Sequence, residues 1–350
     1  MNRRAFILTS ACALMLPDNG VLAQSQTKDS DYDIDFQGHR DSTKEFQRMI
    51  NDAIKMASKV PNGMQKIPIY INGIIKVTKP IIIDASKVCL IGPATIVFSG
   101  SSNWDGESAI KLVPFGSENA AYTNCVGSIF ESMNFFCEKP INLFYAENKG
   151  ESQNNPVCLL TISNCRFTGF DKVFQNGNGG WGWVWNNCGF DQCQYLLYLQ
   201  NASDSYERFS FYGCVWQNGG TAFYVDNPNG KIYWDSGSFD YCAGIAFIKN
   251  GHVSVSGHLE FRNRSIPAVI ITGEHSSFLF HNGSVFIAKS NSQYYLFKQK
   301  IANQVTLRDV TIVSDSIGVN NIFISNLDYV NSGLTFGSPV TQKILQNKSK

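Results

Sequence analysis

Three observations in the sequence predict an all-β chain wound as a three-sided parallel β-solenoid. The 350 residues are 43% hydrophobic but only 16% charged, against about 25% charged in an ordinary globular chain, so neither a disordered segment nor a coiled coil fits. Gly (29 residues), with abundant Asn, Ser, Phe and Tyr, describes short strands joined by polar turns rather than packed helices. The third observation is a repeat. Asn164-Cys165-Arg166-Phe167 aligns with Asn187-Cys188-Gly189-Phe190, Gly213-Cys214-Val215-Trp216 and Ser236-Gly237-Ser238-Phe239. His258-Leu259-Glu260-Phe261, Gly283-Ser284-Val285-Phe286 and Asp309-Val310-Thr311-Ile312 continue it, with last residues 22 to 26 positions apart. Three strands of a few residues and three turns consume about that many, so each repeat is one coil. The formal net charge of +1 leaves no basic excess for a phosphate backbone, which excludes nucleic acid as a partner.

Taken in order, Met1-Asn2-Arg3-Arg4, the apolar run from Ala5 to Leu16 and the small-residue pattern Val21-Leu22-Ala23 predict a signal peptide over 1–23. The twin arginines also suit a twin-arginine exporter, whose cargo travels folded. A secreted or periplasmic protein follows. The run is too short to span a bilayer, which takes about 20 apolar residues, and no later segment spans one either. Residues 24–40 form a polar N-terminal segment. Ser42-Thr43-Lys44-Glu45 reads as a capping box opening a helix over about 42–58, with Phe46, Ile50, Ala53 and Ala57 on one face. Short strands follow at Ile67 to Ile71, Ile74 to Val77, Ile81 to Asp84, Val88 to Ile91 and Thr95 to Phe98. The solenoid is expected over 41–336, with 337–350 as a tail.

Side chains alternate along a strand, so the column Phe167, Phe190, Trp216, Phe239, Phe261, Phe286 and the column Cys165, Cys188, Cys214, Ser238 are both expected to point inward. Ten cysteines, nine of them beyond residue 23, are an odd set for a paired framework, and they offer no Cys-x-x-Cys for zinc. Thiols stacked in the core suit the columns, and disulfides between coils are the alternative. Trp183 and Trp185 fall in core columns; Trp181, at a coil edge, is a candidate sugar contact.

Asp41-Ser42-Thr43-Lys44-Glu45-Phe46-Gln47-Arg48-Met49-Ile50, followed by Ile69-Tyr70-Ile71-Asn72-Gly73, Lys76-Val77-Thr78, Pro80-Ile81-Ile82-Ile83 and Val88-Cys89-Leu90-Ile91-Gly92, resembles the entry segment of the pectate-lyase-like superfamily. Its members include rhamnogalacturonase-type and epimerase-type enzymes and tailspikes. The resemblance covers roughly residues 33 to 100. It implies a single-stranded right-handed parallel β-helix whose N-terminal capping α-helix closes the open end. Neither the Asp-Asp pair of polygalacturonases nor the clustered Asp residues of calcium-dependent pectate lyases occurs, so no catalytic residue carries over.

Candidate chemistry is therefore read from outward positions. The residue after each aromatic gives Thr168, Asp191, Gln217, Asp240 and Arg262, and the residue before gives Arg166, Gly189, Val215, Ser238 and Glu260. Asp191 and Asp240, two coils apart, are separated by about 9 to 10 Å, near the upper end for an inverting acid and base. Asp191, Asp240, Glu260 and Arg262 are the candidate catalytic residues, with His258 as a candidate base. Arg166, Gln217 and Trp181 are the candidate substrate contacts. Such a face suits an acidic or complex polysaccharide, cleaved by a lyase or a glycoside hydrolase. The rivals are a polysaccharide-binding or matrix protein and a tailspike-like receptor-binding protein. No metal and no cofactor are expected; calcium is left open with no site indicated. Oligomeric state is not encoded legibly.

Overall fold

In a computed structural model the described residues are 32–59, 66–100, 104, 108–113, 125–146, 157–176, 180–200, 208–262, 267–288, 296–301, 304–314, 335–336 and 340–344. The expected signal peptide lies outside them.

One coil reads Ile67–Tyr70, Gly73–Val77, Ile81–Asp84, and each strand pairs in parallel with its counterpart one coil on: Ile67 with Val88, Ile75 with Ile96, Ile81 with Ile110. Three sheets result. The first begins with Ile67–Tyr70, the second with Gln37–Asp41 and Gly73–Val77, the third with Ile81–Asp84. The expected all-β solenoid with a capping helix is what forms. Strand Val340–Ile344 pairs with Val305–Ser314, so the second sheet continues into the stretch expected as a tail.

The helix spans Thr43–Ala57 and buries Phe46, Met49, Ile50, Ala53 and Ala57. The capping box is not made. Ser42 is buried and its hydroxyl accepts the Asp35 N–H at 3.0 Å, while the Asp41 carboxylate accepts the Thr43 N–H at 3.0 Å. The sequence pattern was right about where the helix starts, and a neighbouring carboxylate satisfies the free amide. Further along, the Gln47 carboxamide donates to the Ile82 carbonyl at 2.9 Å and accepts the Ile82 N–H at 2.7 Å. It thereby occupies the edge of the first strand of the third sheet, which has no preceding coil among the described residues.

Inside, rings stack coil upon coil: Phe135 on Phe167 at 5.2 Å, Phe167 on Phe190 at 5.1 Å, Trp185 on Phe211 at 5.7 Å. Trp183 and Trp185 are core residues, as their columns required. The inward columns depart from the sequence alignment at three places. Phe239 is in register with Leu259, not Phe261, and Leu259 with Val285, not Phe286. Leu259 and Val285 are fully buried. Ser238 faces outward in register with Val215, and Gly237 takes the step after Cys214.

All nine cysteines from Cys89 to Cys242 are buried thiols outside any disulfide, which favours core filling over disulfides. Burial pushes the thiol of Cys125 up to about 11 and those of Cys137 and Cys193 up to about 12, so these three stay protonated at neutral pH. A chain lacking residues 1–23 should react with almost no Ellman's reagent when native, because its thiols are buried, and with nine equivalents in denaturant without reductant. Fewer than nine would mean that disulfides form.

Candidate functional site

The passage from the first sheet to the second is a bend with one residue per coil in the left-handed region: Asn164, Asn187, Ser236, Asn282 and Asp309, at φ of 48° to 57°. Short polar side chains tolerate that conformation, which is why Asn, Ser and Asp recur there. Two depressions follow this bend. One is lined by Arg166, Asp191 and Gln217; the other, on later coils, by Asp235, His258, Asn282 and Ser284.

Register sets the outward columns of the second sheet. One runs Thr168, Asp191, Gln217, Asp240, Glu260, Phe286; its neighbour runs Arg166, Gly189, Val215, Ser238, His258, Ser284. Asp240 and Glu260 are thus direct neighbours across adjacent coils. One ligating atom each from Asp240, His258 and Glu260 lies within 4.8 Å of the others, the one such trio among the described residues. They could share a proton or hold a small cation. The Ser238 hydroxyl donates to Asp240 Oδ2 at 2.8 Å. His258 Nε2 stands 4.0 Å from Glu260 Oε2, and its Nδ1 lies 3.0 Å from the Ser284 hydroxyl. Glu260 is the less accessible partner, its side chain 17% exposed against 45% for His258.

Asp191 sits two coils before Asp240, as expected, with Gln217 between them. Its carboxylate lies 3.6 Å from the Arg166 guanidinium and accepts from Asn218 Nδ2 at 3.0 Å. Asp191, Asp240, Glu260, His258, Arg166 and Gln217 therefore share one face. Arg262 does not share Asp240's column: its backbone pairs with Ala288, two residues past Glu260. In the coil after Asp240, the position that the sequence alignment gave to Arg262 is held by Glu260. Trp181 is half-buried at the entry to the first sheet, where its carbonyl accepts the Leu159 N–H at 3.0 Å. It is not on the carboxylate face.

Ser284, Ser238 and Asn218 were not among the candidate site residues read from the sequence. The glycine ladder Gly237, Gly257, Gly283, one position before Ser238, His258 and Ser284, is the signal that aligns them.

No family model matches the chain, and no curated protein does. Among solved structures, the enzymatically active domain of tailspike protein 4 from bacteriophage CBA120 is 14% identical, with a TM-score of 0.52 over 87% of this chain. The chain spans 41% of that domain. The A-module of a mannuronan C-5 epimerase from Azotobacter vinelandii is 13% identical, with a TM-score of 0.51, over 91% of this chain and 99% of the module. At these identities the likeness concerns the fold alone, and the chain is a right-handed parallel β-helix.

Proposed function

We propose that the chain is an exported polysaccharide-cleaving enzyme whose reaction centre is the Asp240 and Glu260 carboxyl pair beside His258. The observation that carries this is the trio of ligating atoms within 4.8 Å on an accessible sheet face. One carboxyl group donates a proton to the glycosidic oxygen as the bond breaks, and the other supports the positive charge on the sugar or attacks it. With facing oxygens within 4.8 Å, the pair is closer than the roughly 6.5 to 9.5 Å gap of inverting glycosidases. The Arg166 and Asp191 pair and Gln217, one to four coils earlier, present hydrogen-bonding groups to neighbouring sugar units along the same face. The epimerase and the tailspike enzyme domain show that this fold supports enzymes, and the epimerase is named for a polysaccharide.

Hydrolysis is favoured over β-elimination. Two adjacent carboxyl groups supply both the acid and the base or nucleophile of hydrolysis, whereas elimination would also need a cation held against the uronate carboxylate.

The test is incubation of the processed protein with a panel of bacterial and plant polysaccharides, following reducing ends and the absorbance of unsaturated uronates. New reducing ends without that absorbance are expected. Silence across the panel with retained binding would replace this reading by a binding protein.

A further inference from the structure

We infer that the same face carries a second reaction centre, a serine esterase formed by Ser284, His258 and Glu260, which removes O-acyl groups from a glycan lying in the depression. The serine hydroxyl lies 3.0 Å from His258 Nδ1, and the opposite ring nitrogen faces Glu260 Oε2 at 4.0 Å. A nucleophile within reach of a base, with the base facing a carboxylate, is the arrangement that activates a serine. At 4.0 Å the carboxylate stands within ion-pair range of the ring, and an approach of about 1 Å would let it accept the Nε2–H. Ser284 and His258 both line the depression, and so does Asn282, whose carboxamide nitrogen lies 3.2 Å from His281 Nδ1 and has a second N–H for the oxyanion of the tetrahedral intermediate.

A second serine and histidine pair in the chain shows what the carboxylate adds. His252 Nδ1 lies 2.8 Å from the Ser277 hydroxyl, but the neighbour of His252 in register is Lys231, a cation. A cation there opposes the imidazolium that forms when a histidine takes a serine proton, whereas Glu260 stabilises it. Ser277 is thus a built-in control.

In the first step the Ser284 oxygen bonds to the ester carbonyl carbon as its proton passes to His258 Nδ1. The bond from that carbon to the sugar oxygen then breaks, and the sugar oxygen leaves with the proton from His258. Water attacks the acyl-serine with His258 again as base, releasing the carboxylic acid and restoring the hydroxyl. The net reaction is ester plus water to sugar alcohol plus acid. That the ester sits on a glycan rests on the proposed polysaccharide function; the serine chemistry does not.

The test treats the whole processed chain with an alkyl fluorophosphonate and maps the adduct by mass spectrometry, then measures turnover of p-nitrophenyl acetate and release of acetate from O-acetylated xylan. One adduct is expected, on Ser284 and not on Ser277. Turnover should fall about 10²-fold or more in Ser284→Ala and in His258→Gln. An unlabelled Ser284 in the unmodified chain overturns the inference without any variant having to fold, and so does undiminished turnover in a folded Ser284→Ala. Labelled Ser284 with no glycan cleaved or bound would uphold the esterase and remove the polysaccharide reading. Glycan cleavage with Ser284 unlabelled would do the reverse.

Discussion

Asp240→Asn and Glu260→Gln are each expected to lower kcat/KM for polysaccharide cleavage by about 10² to 10⁴, the usual contribution of a positioned acid or base. Each amide keeps the shape of the carboxyl group and removes its proton chemistry, so circular dichroism and melting should stay near those of the parent. Asp191→Asn is expected to act through KM more than kcat, because Asp191 is tied to Arg166 and Asn218 two coils away. Arg262→Ala should leave cleavage unaltered, since Arg262 stands outside the column that holds the pair. Full activity in both Asp240→Asn and Glu260→Gln would sink the site. A loss in Arg262→Ala equal to theirs would return elimination to consideration.

Gly257→Ala is expected to cost about 3 kcal/mol or more, from two causes that add. Its φ of +117° is a conformation that only glycine adopts readily, worth of order 1 to 3 kcal/mol for another residue. A Cβ there would also stand 2.1 Å from the Gly237 carbonyl oxygen, and that oxygen belongs to the adjoining coil. Two sites separate the causes. At Gly213, with φ of +60° and nothing within 4 Å of an added Cβ, alanine should cost only the backbone part, about 1 kcal/mol. At Gly189, with open space and no positive φ, it should stay within about 0.5 kcal/mol of the parent. Urea unfolding of the three variants would reveal the ranking, and equal costs at 257 and 213 would remove the close contact from the account.

The solenoid was legible because period and alternation are local properties: the Cys165, Cys188, Cys214 ladder and the Phe167, Phe190, Trp216 stack are in register as aligned. Legibility failed where the chain stops marking its bends. Thr221–Asp240 and Gly244–Arg262 each run as continuous strand through two bends. There the coil from Phe239 to Leu259 is 20 residues long, and Phe261 offers a more conspicuous match. A slip of two residues keeps the face but changes the neighbour, so Arg262 was put where Glu260 belongs. The next slip, Phe286 for Val285, is of one residue, and a slip of one reverses every side chain. Alternation from an inward Phe286 would turn Ser284 inward as well, whereas Ser284 stands outside, half-buried beside His258. An inward position can be filled by Leu or Val when its neighbours pack around the smaller side chain, so composition could not arbitrate.

The carboxamide of Gln47 has a consequence for association between molecules. A stack of parallel coils resembles a one-dimensional crystal, able in principle to add another molecule's strand to either terminal layer. At the layer of Ile82 the backbone groups available to a newcomer are already engaged by Gln47, and the apolar side of the helix covers the layer beneath. Addition of a strand at this layer of the third sheet is thereby blocked. Gln47→Ala would reopen the layer, and concentration-dependent oligomers should then appear by light scattering.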